Sequence, residues 1–506
     1  MLERDLQRVF GFTGFKKGQK EIIESLMAGH DVFAMLPTGR GKSLCYQLPA
    51  FLSPGLTIVV SPLLSLMEDQ VTQLKKIGRK EAVAMNSFSS REERKAILQS
   101  LDSFKLIYLS PEMLQSKEVF AALADQKISY FIIDEAHCVS YWGHDFRADY
   151  LRLRDVKASL GNPPTLAITA TADENVRRDV IKQLHLRDPI HVLDEVNRSN
   201  IALFVEKVES EYEKVIRVKE LLARYQLPGL LYTQTRAQAE WYSEQLQHHH
   251  SDLKIGFYHG GMDSMDRMLV QEQFINNQLD VICATNAFGM GVNKPDIHFI
   301  IHLQQPLDIA SYVQEIGRAG RDGSPSFALV FVSPEDRHQA TRLIRNQIEE
   351  HMSLDMLPQL LAQPFDSDKE RKEQLKSSYG EQGQTILFLL EKWGVIIDDK
   401  GRSSIGTSII EKLKVYFEQQ ERIRQQRLGT MMAYIDNDQF CRREFLLRSF
   451  NESVAVQANC CDQCGATLSH YKKREEVLHG KSLHWKQELA LLFHQTQNRK
   501  EGDISE

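Results

Sequence analysis

The chain has 506 residues and a net charge of −6, and 42% of its residues are hydrophobic, as in ordinary globular proteins. Because single cores stop growing at about 250–300 residues, this length predicts three or more domains. No apolar run reaches the roughly 18 residues of a membrane span, and the acidic, polar residues 1–8 are unlike a signal peptide, so we expect a cytoplasmic protein with no membrane partner.

A glycine-rich segment at residues 35–43, with the sequence MLPTGRGKS, follows an apolar run typical of a buried strand and precedes a helical pattern. Its glycines allow backbone N–H groups to point at a phosphate chain in front of a helix N-terminus. Lys42 would reach the β and γ phosphates of ATP, and the Ser43 hydroxyl would bind Mg²⁺. The predicted nucleotide site consists of Thr38, Gly39, Gly41, Lys42 and Ser43.

A second apolar run, at residues 130–133, ends in two adjacent carboxylates. Parallel sheets place their ligands at the carboxyl ends of strands. Asp134 is therefore predicted to hold Mg²⁺, and Glu135 to orient and deprotonate the attacking water. The alternative for this pair alone is a solvated strand end.

Apolar strands alternate with helical patterns in two series along the chain. The first series includes strands at 57–60, 105–109, 131–133 and 165–169, and the second at 229–232, 254–258, 280–283, 298–302 and 328–332. Such alternation predicts doubly wound parallel sheets. We therefore expect an α/β protein with two tandem parallel-sheet domains.

The second series has no glycine-rich phosphate segment, so it is expected to complete the nucleotide site of the first. Residues 314–323, QEIGRAGRDG, contain side chains that could make this contact. Arg318 and Arg321 lie three positions apart, on one face of a helical turn. Each could reach a γ-phosphate across the cleft as an arginine finger, with Gln314 on the same segment.

A helix at 382–393 followed by strands at 395–398 and 402–405 is the order of a winged helix, and we predict such a module before the last cysteines. Basic residues concentrate between 412 and 474, which fits either nucleic-acid contact or solvated helix faces. Four of the seven cysteines cluster here. Four thiolates suit a closed, tetrahedral Zn²⁺ site, the alternative being free buried thiols. The predicted zinc ligands are Cys441, Cys460, Cys461 and Cys464.

These segments, in this order, resemble the motif series of superfamily-two helicases, and most specifically the RecQ family of DNA helicases. The most specific stretch is residues 134–147, DEAHCVSYWGHDFR, where the family carries an aromatic-rich loop after its metal-binding motif. The resemblance implies that this loop senses single-stranded DNA and relays it to ATP hydrolysis. Trp142 and Phe146 would stack on bases, and Arg147 would contact a phosphate or a ring.

The resemblance also implies that Phe12, Lys16 and Gln19 recognise the adenine, with Phe12 stacking and Gln19 hydrogen-bonding the base edge. Two RecA-like domains would occupy residues 1–197 and 198–340. A linker helix and the winged-helix-like module would occupy 341–412, the helical zinc-binding domain 413–475, and a C-terminal helix and tail 476–506.

Taken together, the resemblance implies a helicase of the short bacterial RecS-like branch that uses ATP, Mg²⁺ and Zn²⁺. It would move 3′ to 5′ and act on single-stranded and on tailed or forked duplex DNA in repair and recombination. DNA-repair or single-strand-binding proteins are expected partners, in the bacterial cytoplasm near the nucleoid. Two alternatives stay open: an ATP-dependent RNA helicase, and a DNA-stimulated translocase or remodelling ATPase that does not unwind efficiently.

Overall fold

The computed structural model describes residues 1–62, 64–86, 89–140, 148–288, 294–349, 352–361, 368–380, 382–395, 407–453, 457–471 and 473. Within these ranges the chain forms two parallel-sheet lobes followed by a helical region. The expected pair of tandem α/β domains is therefore confirmed. None of the described helices is both long and apolar enough to cross a membrane.

Seven strands form the parallel sheet of the first lobe. They are β1 (Val32–Met35), β2 (Leu56–Val60), β3 (Ala82–Met85), β4 (Leu106–Leu109), β5 (Ile128–Asp134), β6 (Thr165–Thr169) and β7 (Ile190–Leu193), in the sheet order β3-β4-β2-β5-β6-β1-β7. The middle strands are buried on both faces, which explains their continuous apolar runs. Because only β6 separates β1 from β5, the segments that follow these two strands lie close together.

Eight α-helices of the described residues pack around this sheet. They are α1 (Leu2–Phe10), α2 (Gln19–Met27), α3 (Leu44–Leu52), α4 (Leu64–Lys76), α5 (Arg91–Gln99), α6 (Lys117–Ala124), α7 (Leu153–Ser159) and α8 (Glu174–Leu184). Right-handed crossovers between parallel strands place helices on both faces of such a sheet. Helix α3 starts directly after the glycine-rich segment, so its N-terminus faces the carboxyl edge of the sheet.

The second lobe repeats this architecture with six parallel strands. They are β8 (Ile201–Lys207), β9 (Gly229–Tyr232), β10 (Ile255–Tyr258), β11 (Val281–Ala284), β12 (Phe299–His302) and β13 (Ser326–Val332), in the order β10-β11-β9-β12-β13-β8. Its helices are α9 (Glu211–Arg224), α10 (Arg236–His249), α11 (Ser264–Ile275), α12 (Ile309–Ile316) and α13 (Pro334–Glu349).

The rest of the described chain is mainly helical. Its helices are α14 (Leu357–Leu361), α15 (Asp368–Tyr379), α16 (Gln382–Lys392), α17 (Thr407–Asp436) and α18 (Arg442–Arg448). Helix α16 confirms the helix predicted at 382–393. The hairpin predicted at 395–405 falls outside the described residues apart from its first position, and the C-terminal helix and tail predicted at 476–506 lie outside them entirely.

Candidate functional site

The glycine-rich segment connects β1 to α3 at the carboxyl edge of the first sheet. Gly39 and Gly41 have φ angles of 83° and 75°, in the left-handed region that glycine adopts without steric cost. A Cβ added at Gly41 would lie 2.9 Å from Nε2 of Gln19, so a side chain there would displace the Gln19 amide. The resulting curl ends at Ser43, directly before α3, where backbone N–H groups and the helix dipole favour a bound phosphate.

Lys42 and Glu135 form an ion pair at this edge of the sheet. Nζ of Lys42 lies 2.8 Å from Oε1 of Glu135, and only 16% and 8% of the two side chains are exposed. Asp134, the last residue of β5, accepts a hydrogen bond from the backbone N–H of Glu135 at 2.9 Å. The lysine and both carboxylates, which come from segments about ninety residues apart in the sequence, are therefore neighbours.

The two carboxylates differ in their pKa. Burial raises the pKa of Asp134; Lys42 opposes this rise and the adjacent Glu135 carboxylate adds to it. Burial acts in the same direction on Glu135, but Lys42 and His137 outweigh it and hold the pKa of Glu135 below its usual range. Glu135 is thus kept as a carboxylate by Lys42, and it becomes a stronger base if that lysine moves away towards a phosphate.

His137 connects Glu135 to the neighbouring strand β6. Its Nδ1 lies 2.8 Å from Oγ1 of Thr169 and 3.4 Å from Oε2 of Glu135. The hydroxyl of Thr169 donates to the carbonyl of Thr171 at 3.2 Å, so we assign the proton of the His137–Thr169 hydrogen bond to Nδ1. The segment at 169–171 is therefore connected, through His137, to the carboxylate that is predicted to activate water.

The second lobe contributes α12 and the turn that follows it. Gln314 is buried on α12, and Arg318 and Arg321 come directly after its C-terminal end. Arg318 forms a side-chain hydrogen bond with the hydroxyl of Tyr232, at the end of β9. Arg321 passes over the glycine-rich segment, because a Cβ added at Gly39 would lie 3.3 Å from its Cγ. Residues from both lobes thus meet at one cleft.

The cleft carries an excess of positive charge. Burial, together with the guanidinium groups of Arg318 and Arg198, lowers the pKa of Arg321 to about 9. Glu135 opposes this change, so its carboxylate lies within electrostatic range of the arginine. Because Glu135 is already paired with Lys42, it cannot neutralise both arginines as well. A bound polyanion such as a nucleoside triphosphate would supply the missing negative charge.

A direct hydrogen bond joins the lobes at the same place. The Thr38 hydroxyl, on the glycine-rich segment, donates to the backbone carbonyl of Gly317 at 2.6 Å. Gly317 could not carry a side chain in this arrangement, since an added Cβ would lie 2.6 Å from Oγ1 of Thr38. The turn that bears the two arginines is therefore held against the glycine-rich segment.

The three residues expected to recognise adenine lie together beside this segment. Phe12 is 54% exposed and stacks parallel to Phe10, with ring centroids 6.3 Å apart, so one of its faces is open to a base. Gln19 accepts from the backbone N–H of Lys16 at 2.8 Å and donates to two carbonyls of the glycine-rich segment at 2.8 and 3.0 Å. Lys16 Nζ donates to a third, at 2.9 Å. Gln19 and Lys16 thus also stabilise the segment itself.

The four late cysteines form one cluster. Their sulfur atoms all lie within 4.8 Å of one another, and the Sγ atoms of Cys441 and Cys460 are 3.4 Å apart. Tetrahedral Zn²⁺ with bonds of about 2.3 Å to each sulfur requires sulfur–sulfur distances of roughly 3.8 Å. The donor set and its compactness therefore fit a structural zinc ion held by Cys441, Cys460, Cys461 and Cys464.

This cluster is docked on β8, the edge strand of the second sheet. The backbone N–H of Leu203 donates to the carbonyl of Cys460 at 3.2 Å, and that of Val205 donates to the Asp462 carboxylate at 3.2 Å. The other oxygen of Asp462 accepts from Nε of Arg442 at 2.6 Å. The cysteine segment thereby covers backbone groups that an open sheet edge would leave unpaired.

Trp142, Phe146 and Arg147, the predicted DNA contacts, lie outside the described residues. Asp194 and Arg198, which were not predicted from the sequence, also contact the site. The Asp194 carboxylate forms ion pairs with Lys17, at 3.0 Å, and with Arg40 of the glycine-rich segment, at 3.1 Å. Arg198 bonds to the turn that bears the arginines. Both belong to the polar stretch DEVNRSN at 194–200. This stretch lies between the two strand series, and that position was the sequence feature that could have marked it as part of a site between the domains.

Three protein-family models match the chain in order. The DEAD/DEAH box helicase model covers residues 16–179, the helicase conserved C-terminal domain model covers 213–323, and the RecQ zinc-binding model covers 404–465. The first two contain the halves of the cleft, and the third contains all four clustered cysteines.

Individual helicases are also similar to this chain. A probable ATP-dependent DNA helicase RecS of Bacillus subtilis (strain 168) is 42% identical over 496 residues, which cover 97% of this chain and 98% of the relative. The ATP-dependent DNA helicase RecQ of Haemophilus influenzae is 39% identical over 355 residues, 68% of this chain and 56% of the relative. The solved DEAD-box helicase Mss116 bound to ssRNA and UDP-BeF has a TM-score of 0.57 at 17% identity, with 90% of each chain covered, a likeness of fold alone.

Proposed function

Because the chain belongs to the RecQ family of ATP-dependent DNA helicases, we propose that it uses ATP hydrolysis to move 3′ to 5′ along single-stranded DNA and separate strands during repair and recombination. The observation that carries the proposal is the approach of Arg321, from the second lobe, to Gly39 of the first. A site built from two lobes closes around its ligand and opens after the ligand changes, so hydrolysis can drive movement between the lobes.

In this proposal each site residue has its own role in ATP hydrolysis. When ATP enters, Lys42 exchanges its partner Glu135 for the β and γ phosphates. Glu135 then orients a water molecule and accepts its proton as the water attacks the γ-phosphate. Arg318 and Arg321 stabilise the charge that spreads over the equatorial phosphate oxygens, and Gln314, buried on α12, holds the second-lobe side of the site.

The remaining nucleotide contacts belong to the first lobe. Thr38, Gly39 and Gly41 present backbone groups to the phosphates, while Phe12 stacks on the adenine beside Lys16 and Gln19. Mg²⁺, held by Ser43 and through water by Asp134, would neutralise charge on the β and γ phosphates. The helicase domains would then comprise residues 1–197 and 198–340.

The region after the helicase domains would comprise a linker with a winged-helix-like module at 341–412 and a zinc-binding domain at 413–475. The cysteine cluster would bind Zn²⁺ as a structural ion, because all four ligand positions are filled by thiolates and none is left open for substrate. Bound zinc would fix the segment that covers β8. Repair and single-strand-binding proteins would act as partners of the whole enzyme.

Single-stranded DNA would contact the loop that carries Trp142, Phe146 and Arg147, through stacking and phosphate contacts. The test compares ATP hydrolysis without nucleic acid, with single-stranded DNA and with RNA of the same sequence. We expect stimulation by DNA, and a stimulation about tenfold smaller in Trp142→Ala, since one base stack is worth about 1–3 kcal/mol. Wild-type hydrolysis indifferent to DNA, or stimulated by RNA alone, would contradict the proposed substrate. Equal stimulation of both proteins would contradict the role of Trp142.

A further inference from the structure

Arg198, in the segment between the lobes, bridges the two halves of the ATP site. Its Nη1 donates to the carbonyls of Gly317 at 2.9 Å and of Thr38 at 3.4 Å. Its Nη2 donates to the carbonyls of Ala319 at 3.0 Å and of Gly320 at 2.8 Å. One guanidinium therefore holds four backbone carbonyls, three on the turn that bears the arginine fingers and one on the glycine-rich segment.

These carbonyls need such a partner because of their position. Helix α12 ends at Ile316, and the carbonyls at and beyond a helix C-terminus lack intrahelical donors. A cation at this end also interacts favourably with the helix dipole. The planar guanidinium offers five N–H donors in a fixed fork, whereas a lysine ammonium is a point charge on a flexible stem. Arg198 is thus suited to fix the conformation of residues 317–320. It thereby also fixes the orientation of the Arg318 and Arg321 side chains.

The backbone at Arg198 is held in turn by the cysteine-rich region. Nη1 of Arg443 donates at 2.8 Å to the carbonyl of Arg198 and at 2.8 Å to Oδ1 of Asn197. Nη2 of Arg443 donates to the carbonyl of Ile201 and, at 3.5 Å, to that of Cys460. Arg443 is only 5% exposed and lies two residues after Cys441 on α18. A continuous set of hydrogen bonds therefore runs from the cysteine cluster to the ATP cleft.

We propose that Arg198 is a positioning residue of the ATP site, and that Arg443 makes its placement depend on the docking of the cysteine-rich region. Arg198 touches neither lysine nor carboxylate of the catalytic set and acts through the turn that presents Arg318 and Arg321. The proposal rests on the arginine-finger role given above. It implies that hydrolysis is sensitive to a contact made by a region outside the predicted nucleotide site.

The first test is a double-mutant cycle between Arg198→Ala and Arg321→Ala, read as single-turnover ATP hydrolysis with saturating single-stranded DNA. We expect Arg198→Ala to lower the rate about tenfold or more with the KM for ATP changed less than about twofold, because transition-state contacts alone are lost. In the Arg321→Ala background the same substitution should cost several-fold less than in the wild type, because residues that act through one another are not additive, and the cost that remains is the part exerted through Arg318. Arg198→Lys should behave like Arg198→Ala, and it keeps the test available if the alanine variant does not fold.

The second test is Arg443→Lys, with Arg448→Lys as the matched control. Arg448 lies on the same helix, where its side chain is 69% exposed and pairs with Glu444 at 2.5 Å. We expect Arg443→Lys to lower the rate about fivefold or more in protein that is folded and keeps its metal, and Arg448→Lys to leave the rate unchanged, since exposed pairs contribute little.

Four outcomes are decisive. Costs of Arg198→Ala that simply add to those of Arg321→Ala, or an unchanged rate in Arg198→Ala, would overturn the positioning role. Arg443→Lys with wild-type kinetics would overturn the link to the cysteine-rich region. Wild-type hydrolysis by Arg321→Ala itself would instead contradict the proposed function, so the two failures can be told apart.

Discussion

Replacing Lys42 with Ala is expected to lower the rate of ATP hydrolysis at least about a hundredfold, the range found when one preorganised charge-stabilising group is lost. The physical reason is twofold. The β and γ phosphates lose their point charge, and Glu135 loses the partner that lies 2.8 Å from its carboxylate. Steady-state hydrolysis with saturating single-stranded DNA measures the loss, and a DNA-binding titration should show that the variant still binds the strand.

Lys75→Ala is the matched control for this experiment. Lys75 is an exposed lysine in the last turn of α4, away from the glycine-rich segment, so its removal should leave the rate unchanged. Melting curves of both variants separate loss of chemistry from loss of fold. A folded Lys42→Ala protein that hydrolyses ATP at the wild-type rate would show that the nucleotide site has been placed wrongly.

Replacing Cys461 with Ser is expected to reduce bound zinc from about one ion per chain to nearly none, since structural sites require all four of their thiolates. The sulfur of Cys461 is fully buried in the cluster, and it accepts from the backbone N–H of Arg442 at 3.4 Å. Because the binding energy of a structural zinc ion is folding energy, the segment that covers β8 should unfold locally. Metal analysis of the native protein and limited proteolysis of residues 437–471 measure the two effects.

Cys283→Ala provides the comparison for the zinc experiment. Cys283 is equally buried but lies in strand β11, outside the cluster. Its replacement should cost some packing energy and leave the metal content at one ion per chain, as a core residue would. A Cys461→Ser protein that retains full zinc and resists proteolysis would contradict a four-cysteine site.

The sequence predicted the inner strands of each sheet and the edge strand β10, and it missed the edge strands β3, β7 and β8. Strands such as β2 and β6 are buried on both faces and appear as unbroken apolar runs. In β7, by contrast, exposed His191 and Leu193 alternate with buried Val192, and the strand is short. The role of β8 depends on pairing with β13, far along the chain, and on cover from the cysteine segment. Residues 201–205 of β8 are an apolar run, so the strand itself left a local signal, whereas these tertiary contacts did not.

In the site, too, some features could be predicted from the sequence and others could not. The contiguous residues around Lys42 and Glu135 were predictable because phosphate and water chemistry requires particular side chains at fixed local spacing. The bonds from Gln19 to the glycine-rich segment were not, since they depend on how α2 packs beside it. The contacts of Arg198 could not be predicted either, because its four carbonyl partners come from two lobes that meet only in the folded chain.

The proposed motor function is best tested by strand displacement on two matched duplexes, one with a 3′ single-stranded tail and one with a 5′ tail, at saturating ATP. A motor that moves 3′ to 5′ engages the tailed strand and advances into the duplex only from a 3′ tail. We therefore predict ATP-dependent displacement of the 3′-tailed duplex and little of the 5′-tailed one. Displacement from the 5′ tail alone would contradict the proposed direction, and ATP hydrolysis without displacement of either duplex would contradict a strand-separating function.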